Sequence, residues 1–264
     1  AADTARVSAT EKGESVGVYD KAIREKKLLQ KNIENLAPKA LANGEFKVWL
    51  QPKYDLVKQE IVGSEALVRW QSPELGFLMP ASFIELFEKN GFILELDYYM
   101  LEQAFAMQRQ RWTAGLQIVP ISVNQSALHV NEAGYLQRMR ELFAANPLPP
   151  GSIDLEITET AADYAPEITD RNIEMLAGDG IRFSLDDYGT GYSNVSRVVQ
   201  MPLDIVKLDK SLVDDMNIPA MWTVIRNTVG MLKKMNKKVL VEGVEDGAAV
   251  EKFIDIGCDY IQGF

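Results

Sequence analysis

Two adjacent aspartates, Asp186 and Asp187, are the first candidates for chemistry in this sequence, and they follow the apolar run Phe183–Leu185. The apolar run predicts a buried strand, and neighbouring side chains on a regular strand point to opposite faces. Both carboxylates can therefore share one site only where the strand stops and the backbone turns. Burying two like charges together is costly unless a counter-charge compensates for them. The pair therefore indicates a cation site at the end of this strand.

Polar residues also end the other short apolar runs of the chain. These positions are Glu65, Asn124, Glu156, Asp186, Lys207, Glu242 and Gln262. Their successive spacings are 59, 32, 30, 21, 35 and 20 residues, and the last five suit single strand–helix units. Carboxylate and amide oxygens without histidine or thiolate suit hard cations such as Mg²⁺ or Mn²⁺. Two such ions roughly 3.5–4 Å apart would form a phosphoryl-transfer site, in which Lys207 can hold the attacking water or offset phosphate charge.

The segments between these strand ends are typical of helices. Helices are predicted over Pro80–Asn90, Leu94–Thr113, Asn131–Asn146, Pro166–Gly180, Ala220–Met235 and Gly247–Ile256. Before them, residues 46–70 indicate an antiparallel hairpin with its turn around Lys58–Gln59. Alternation of strands and helices implies a parallel sheet, so we predict an α/β protein and a modified TIM-type (β/α)8 barrel with an antiparallel first hairpin. A doubly wound open sheet is the alternative, but no G-x-G-x-x-G motif follows the early strands to support it.

The composition argues against several classes of function. A net charge of −10 and a pI near 4.8 give no basic surface for a nucleic-acid duplex or an anionic membrane. No run of 18 apolar residues occurs, so we expect no membrane contact by this fragment. The single cysteine, Cys258, excludes an internal disulfide and fits a cytoplasmic location, although a parent chain could be anchored upstream. The single histidine, His129, has no nucleophile motif nearby, so we expect a surface or packing role for it.

Seven motifs occur in an order that closely resembles the EAL domain, the bacterial phosphodiesterase of cyclic di-GMP. They are SEALVRW (Ser64–Trp70), SVN (Ser122–Asn124), LEITE (Leu155–Glu159), DDYGTGYS (Asp186–Ser193), KLD (Lys207–Asp209), EGVE (Glu242–Glu245) and QGF (Gln262–Phe264). The resemblance covers roughly residues 40–264. It implies a cyclic-guanylate-specific phosphodiesterase that opens the cyclic dinucleotide to linear pGpG. Val68, Tyr188 and Asn194 depart from the usual pattern, and none of these departures removes a ligand.

The resemblance implies two metal ions, each Mg²⁺ or Mn²⁺. The first ion would be held by Glu65, Asn124, Glu156 and Asp186. The second ion would share Asp186 and would be held also by Asp187 and Glu242. The resemblance further implies inhibition by Ca²⁺, which tolerates the wrong coordination geometry.

Catalytic and substrate-side roles are implied in the same way. The catalytic group would comprise Lys207, which contacts the attacking water, Glu242, which is the candidate general base as well as a ligand, Glu65, and Glu159, which braces the loop after Asp187. Arg69 would bind a substrate phosphate through its planar, rigid guanidinium group. The other residues on the substrate side would be Gln51, Leu67, Asp209, Glu245 and Gln262.

The first residues are similar to the end of another domain. Residues 1–20 resemble the last helix and strand of a GGDEF, or diguanylate cyclase, domain, and residues 38–264 would form the EAL domain. Residues 21–37 would form a helical linker, because Tyr19–Leu36 is charged and amphipathic, and Pro38 is expected to bend or restart the helix. EAL domains normally continue through a loop and helix beyond the QGF motif, so the C-terminal tail would be missing. The resemblance also implies upstream GGDEF or sensor domains and a homodimer.

Two other functions remain open from the sequence. Many EAL domains bind cyclic di-GMP without cleaving it and act as receptors or signal relays. Such receptors usually lack metal ligands, and this sequence retains all of them, so the enzyme is favoured. In a third reading the domain is active only when an upstream domain changes its dimer geometry, and the sequence does not separate this case from the first.

Overall fold

The computed structural model describes residues 21–190 and 195–263, with the backbone alone for Lys21, Ala22 and Val130. Residues 1–20, in which the sequence predicts the end of a GGDEF domain, lie outside this range. The strands are β1 (Phe46–Asp55), β2 (Glu60–Ser72), β3 (Gly76–Leu78), β4 (Ile121–Asn124), β5 (Ile153–Thr158), β6 (Arg182–Tyr188), β7 (Ile205–Leu208), β8 (Lys238–Glu242) and β9 (Tyr260–Gln262). The helices are α1 (Lys21–Ala42), α2 (Ile84–Asn90), α3 (Ile93–Thr113), α4 (Tyr135–Ala145), α5 (Glu159–Asp163), α6 (Pro166–Gly178), α7 (Val195–Gln200), α8 (Lys210–Asp214), α9 (Pro219–Lys234) and α10 (Gly247–Asp255).

The chain divides into two compact units. Among the described residues, the first comprises residues 21–47 and 69–93, and the second comprises residues 48–68, 94–190 and 195–263. In the second unit the strands close into an eight-stranded barrel in the order β1-β9-β8-β7-β6-β5-β4-β2, with β1 pairing to β2. The pairs from β2 through β4 to β9 are parallel, whereas β1 is antiparallel to β9. The predicted TIM-type barrel with an antiparallel first hairpin is therefore confirmed, and the open sheet is excluded.

The parallel strands carry apolar side chains that are buried among the barrel and its surrounding helices. Leu155, Phe183 and Val206 are almost fully buried, and burying a side chain of this size stabilises the fold by about 1.5–3 kcal/mol. The covering helices are amphipathic, and α9 buries Ile225 and Val229 along one stripe. Within the described residues, none of the helices combines the length and the apolar character that crossing a bilayer requires.

Two predicted helices begin later in the structure than expected. The helix predicted from Asn131 begins only at Tyr135, as α4, because Gly134 adopts a φ of 84° that a right-handed helix does not accommodate; a 3₁₀ turn, Ala127–Asn131, precedes it. The stretch Pro80–Asn90 forms a 3₁₀ turn, Pro80–Ser82, and then α2, with non-helical Phe83 between them.

The first unit is built around helix α1 and a cluster of aromatic rings. The rings are those of Phe46, Trp70, Phe83 and Phe87, whose centroids lie 4.8–6.2 Å apart. Helix α1 is assigned as one helix from Lys21 to Ala42 with Pro38 inside it, so the expected restart is wrong. Pro38 removes one helical hydrogen bond, and the buried Ala37 and Ala40 on either side of it hold the last turn in place.

Candidate metal centre

The strand registers bring the predicted residues together at one end of the barrel. Asn124 of β4 lies opposite Glu156 of β5, and Glu242 of β8 lies opposite Gln262 of β9. Each of these residues ends or nearly ends its strand, and parallel strands in a barrel present their carboxyl ends on the same face. Residues whose successive spacings in the sequence range from 20 to 59 positions therefore meet at one mouth of the barrel.

Lys207 is at the centre of this cluster and is 0% exposed. Its Nζ contacts four carboxylates: Glu65 Oε2 at 3.1 Å, Glu156 Oε2 at 2.9 Å, Asp186 Oδ2 at 3.0 Å and Glu242 Oε1 at 2.8 Å. Burial alone would lower the pKa of Lys207, but the four carboxylates outweigh burial and raise it well above its usual value. The four carboxylates therefore favour the ammonium form of Lys207, which makes it a poor base.

Asp186 and Asp187 share the mouth because β6 is irregular at this point. Asp187 has a φ of 56°, and the register between β6 and β7 shifts between Leu185 and Tyr188. The backbone N–H of Asp187 also donates to Asp186 Oδ1 at 2.9 Å. The left-handed residue turns the second carboxylate toward the first, although consecutive residues of a regular strand would diverge.

The carboxylates form two overlapping groups that suit a pair of cations. One group is Glu65, Glu156 and Asp186, and the other is Asp186, Asp187 and Glu242; within each group the ligand atoms lie within 4.8 Å of one another. Asn124 donates from Nδ2 to Glu65 Oε1 at 2.9 Å, beside the first group. The donors are all oxygen atoms, which hard divalent cations prefer.

The charge of the cluster also fits two divalent cations. Six carboxylates lie in this region of the barrel: Glu65, Asp154, Glu156, Asp186, Asp187 and Glu242. Two lysines, Lys53 and Lys207, offset part of their charge. With all six carboxylates ionised, four negative formal charges remain, which two divalent cations would balance. The residues present therefore fit the ions that the EAL resemblance implies.

The pKa values of the acids reflect this excess of negative charge. Burial is the largest cause that raises the pKa of Asp186, to about 8; Lys207 opposes it, and the carboxylates of Glu156, Glu242 and Glu65 add to the rise. Burial likewise raises the pKa of Glu242. Glu156 behaves differently: burial would raise its pKa, but Lys207 and Lys53 together hold it below its usual value.

A second polar layer lies in the barrel interior. The sequence analysis did not predict this layer. Lys53 Nζ lies 2.5 Å from Glu156 Oε1 and 2.5 Å from Ser122 Oγ. Ser122 and Ser184 both donate to Asp154 Oδ2, at 2.8 and 2.6 Å. Side chains on one strand face return every second residue, and Ser122, Asp154 and Ser184 each precede a predicted ligand by two positions. This two-residue spacing could have revealed the second polar layer from the sequence alone.

The other predicted residues are distributed over the mouth and its surroundings. Gln262 donates from Nε2 to Glu65 Oε2 at 2.6 Å and to Gln51 Oε1 at 3.0 Å. Glu159 Oε2 accepts from the backbone N–H of Gly189 at 3.2 Å, just after Asp187.

The remaining predicted substrate-side residues are Asp209, Glu245, Leu67 and Arg69. Asp209 caps α8 by accepting from Ser211 N, and its charge helps to raise the pKa of Asp187 after burial, the larger cause. Glu245 is exposed, and its Oε1 lies 3.3 Å from the Nζ of Lys210. Leu67 is half-buried in β2, whereas the half-buried Arg69 belongs to the first unit. Residues 191–194, including Asn194, and Phe264 lie outside the described residues.

His129 has a packing role and lies in a charged cluster of the second unit. Its ring nitrogens lie 3.1 Å from Asp97 Oδ2 and 2.7 Å from Glu132 Oε2. Asp97 Oδ2 also accepts from Ser126 N, in the segment that follows Asn124. Among the two expected roles, packing is therefore correct and surface exposure is wrong.

A closed β/α barrel with an acidic cluster at the carboxyl ends of its strands defines a class of barrel proteins whose mouth carries oxygen ligands suited to divalent cations. The sequence profile of the EAL domain family matches residues 34–264, so the chain belongs to this family.

Relatives and solved structures agree with this assignment. Cyclic di-GMP phosphodiesterase RocR of Pseudomonas aeruginosa is 31% identical over 227 residues, which are 86% of this chain and 58% of the relative. Signaling protein YkoW of Bacillus subtilis is 28% identical over 265 residues, which are 100% of this chain and 33% of the relative. The chain thus spans less than two thirds of these relatives. The solved structure described as "PaMucR Phosphodiesterase, c-di-GMP complex" has a TM-score of 0.82 at 29% identity, over 88% of this chain and 95% of that chain.

Proposed function

We propose that this chain hydrolyses cyclic di-GMP to linear pGpG with the help of two divalent cations, Mg²⁺ or Mn²⁺. The observation that carries the proposal is the convergence of five carboxylates in two overlapping groups around Lys207. The similarity to RocR, a cyclic di-GMP phosphodiesterase, and to the MucR complex with c-di-GMP supports this choice of substrate.

The metal ligands follow from the two groups. The first cation would be held by Glu65, Asn124, Glu156 and Asp186, and the second by Asp186, Asp187 and Glu242. Bound divalent cations supply positive charge that activates a water molecule and offsets the negative charge of the phosphodiester. Ca²⁺ would bind the same oxygens with a looser geometry and inhibit the reaction.

Lys207 orients the nucleophile in this proposal. Its Nζ lies within 3.1 Å of carboxylates from four different strands, so its position is fixed by the barrel itself. An ammonium can only donate hydrogen bonds, and a water molecule that accepts from Lys207 keeps another lone pair free to attack phosphorus. Lys207 therefore directs the attacking oxygen without taking its proton.

Glu242 is the candidate general base in this proposal, a role that it shares because a metal ligand is not free to take the proton alone. Its carboxylate is half-buried at the rim of the cluster, and burial raises its pKa in the metal-free protein. The water oxygen forms a new bond to phosphorus while the bond from phosphorus to the ribose 3′ oxygen breaks. One proton of the water leaves through Glu242, the departing 3′ oxygen takes up a proton from the solvent and is released as a hydroxyl, and the second water proton is lost from the new 5′-phosphate, which gives linear pGpG.

The substrate contacts in this proposal follow the EAL resemblance. We assign Arg69 to a substrate phosphate, because its guanidinium can make two parallel hydrogen bonds. The remaining substrate contacts are assigned to Gln51, Leu67, Asp209, Glu245 and Gln262. Glu159 is assigned to the loop after Asp187, and its hydrogen bond to Gly189 N supports this role.

The decisive experiment is to incubate the purified chain with cyclic di-GMP and Mn²⁺ or Mg²⁺ and to separate the products by chromatography. We expect pGpG from the wild type and no product from Glu65→Ala or Lys207→Ala. Asp215→Asn, an exposed change after α8, is the matched control and should keep full activity. If the dinucleotide binds but remains cyclic with every metal, the chain is a cyclic di-GMP receptor or relay module instead.

The chain is, in this proposal, the C-terminal part of a cytoplasmic GGDEF–EAL protein. Residues 1–20 would end the GGDEF domain, residues 21–37 would form the linker, and residues 38–264 would form the EAL domain. The length of the relatives supports a larger parent, since the chain covers 33% of YkoW. Upstream sensor domains and homodimer formation belong to the same proposal and are tested by light scattering on the parent protein.

A further inference from the structure

A second buried lysine, Lys53, contacts the proposed metal centre from the barrel interior. It lies in β1 and is 3% exposed. Its Nζ is 2.5 Å from Glu156 Oε1. The proposed hydrolysis assigns no step to Lys53, so a buried charge at this position calls for its own explanation.

Lys53 and Lys207 hold the two oxygens of Glu156 separately. Lys53 contacts Oε1 at 2.5 Å, and Lys207 contacts Oε2 at 2.9 Å. The last torsion of a glutamate side chain has broad minima and is otherwise weakly restrained. Because each oxygen is bound to a different ammonium, the carboxylate cannot rotate, and Oε2 is the oxygen directed at the other ligands around Lys207.

Lys53 is itself held in place by a hydrogen-bonded chain. Ser122 Oγ lies 2.5 Å from Lys53 Nζ and donates to Asp154 Oδ2, which also accepts from Ser184. Asp154 is 1% exposed, and its negative charge compensates part of the positive charge of Lys53. Such second-layer partners orient the residues that bind a metal directly.

We propose that Lys53 is a positioning residue that fixes Glu156 and thereby sets which divalent cation the first site prefers. The inference rests on the proposed cation site. It adds that the barrel interior, through Lys53 and Ser122, determines the geometry of one ligand.

Removing the charge of Lys53 has two effects that can be separated. The cluster becomes more negative, which strengthens the attraction of Mg²⁺ and Ca²⁺ alike, because both ions carry the same charge. Glu156 also becomes free to rotate, which affects the two ions differently. Mg²⁺ demands a nearly ideal octahedron, whereas Ca²⁺ accepts six to eight oxygens in flexible arrangements. The ratio of the two dissociation constants, Kd for Mg²⁺ over Kd for Ca²⁺, therefore reports the position of Glu156 alone.

The test is isothermal titration calorimetry of the whole chain with Mg²⁺ and with Ca²⁺, without the dinucleotide. We expect the ratio to rise in Lys53→Met, by up to about 10- to 100-fold, because losing a second-layer partner costs that much in metal affinity and here the loss should fall on Mg²⁺. Ser122→Ala, which removes one anchor of Lys53, should raise it in the same direction by less. Lys233→Met removes a lysine that is 2.6 Å from Asp259, away from the cluster, and should leave the ratio at the wild-type value.

Each outcome has a distinct meaning. An unchanged ratio in Lys53→Met, with the circular dichroism of the wild type, would overturn the role of Lys53 and leave the proposed hydrolysis intact. If Lys53→Met does not fold, the ratio in Ser122→Ala decides in the same way. If the wild type binds neither cation, both the proposed function and this inference fail.

Discussion

Asp186 and Asp187 are consecutive in the chain, and yet both carboxylates lie within 4.8 Å of the same oxygen of Glu242. The left-handed backbone of Asp187, with a φ of 56°, makes this possible. Backbone strain of this kind costs about 1–3 kcal/mol and is retained mainly at functional sites. The strain therefore supports a shared role for the two aspartates.

The first prediction concerns Asp187→Asn. Asparagine tolerates a left-handed backbone better than most residues, so the fold should be kept while one ligand charge is lost. We expect turnover of cyclic di-GMP to fall by at least about 100-fold, or roughly 2.7 kcal/mol of barrier. The melting temperature of the metal-free protein should change by only a few degrees.

Steady-state kinetics and differential scanning calorimetry on the same samples check this prediction. Asp187→Val is the contrasting variant, because a β-branched residue does not accept a φ of 56°; it should lose both activity and stability. A drop of tens of degrees in Asp187→Asn would show that Asp187 serves the fold rather than the reaction.

The second prediction concerns Lys207→Met in the absence of metal. Removing one partner of a buried ion pair leaves uncompensated charge and typically destabilises a protein by about 3–5 kcal/mol. Here four carboxylates lose a contact with the same ammonium, so we expect a loss of this size. Added Mn²⁺ should then raise the melting temperature of the variant by more than that of the wild type.

Thermal melts with and without Mn²⁺, followed by circular dichroism, measure the difference. Lys233→Met, which also breaks a lysine–carboxylate pair, controls for the general loss of an ion pair and should show the wild-type response to Mn²⁺. If Mn²⁺ raises the melting temperature of Lys207→Met and of the wild type equally, Lys207 and the cations do not compensate the same carboxylates.

The sequence allowed the barrel and the residues of the mouth to be predicted for one reason. The short apolar runs of the sequence that form the parallel strands each end in a polar residue, and the topology alone places strand ends on one face. Glu65, Glu156 and Asp186 could therefore be found without coordinates. The same logic, applied two residues earlier in each strand, would have found Ser122 and Asp154.

Other features depend on tertiary packing that the sequence does not express. The left-handed φ of Asp187 is stabilised by its neighbours and has no glycine to mark it. The continuity of α1 through Pro38 depends on the burial of Ala37 and Ala40. Lys53 faces inward because β1 is antiparallel and alternates Gln51, Lys53 and Asp55 on its inner face, which only the pairing of β1 with β9 reveals.

The third prediction concerns the pH dependence of stability at His129. Burial lowers its pKa, but the carboxylates of Asp97 and Glu132 outweigh burial, so the pKa in the folded protein is raised above 6.5. Protonated His129 is therefore favoured by folding. Its contribution to stability is complete below about pH 6.5 and is lost as the pH rises through the higher folded value, at about 1.4 kcal/mol for each unit of pKa shift.

Urea unfolding between pH 6 and pH 9, for wild type and His129→Gln, tests this sign. The free energy of unfolding of the wild type should fall faster with rising pH than that of the variant. Tyr98 and Tyr135 also face the histidine ring, but burial raises the pKa of both phenols, so they stay neutral in this range. A steeper fall in the variant would contradict the raised pKa.

The fourth prediction concerns Gly189, the residue two positions after Asp187. Its φ is 105°, and an added Cβ would lie 2.7 Å from Leu212 Cδ1. Gly189→Ala should therefore displace the backbone that donates to Glu159, with a loss of about 1–3 kcal/mol in stability and a clear loss of turnover.

Gly230→Ala, in α9, is the control variant. The added Cβ would meet no atom within 4 Å, and the change should stabilise the protein by about 0.5–1 kcal/mol. Wild-type kinetics in Gly189→Ala would exclude a role for this loop.

The last prediction concerns Cys258, which precedes β9 and is buried. Burial raises the pKa of its thiol to about 12, so almost no reactive thiolate is present near neutral pH. We expect iodoacetamide to modify the native protein slowly at pH 8 and the urea-unfolded protein quickly, as measured by mass spectrometry. Cys258→Ala should keep the wild-type turnover and cation affinity, with a loss of about 1 kcal/mol in stability. Rapid labelling of the native protein, or weaker cation binding by the variant, would place Cys258 at the site instead of in the core.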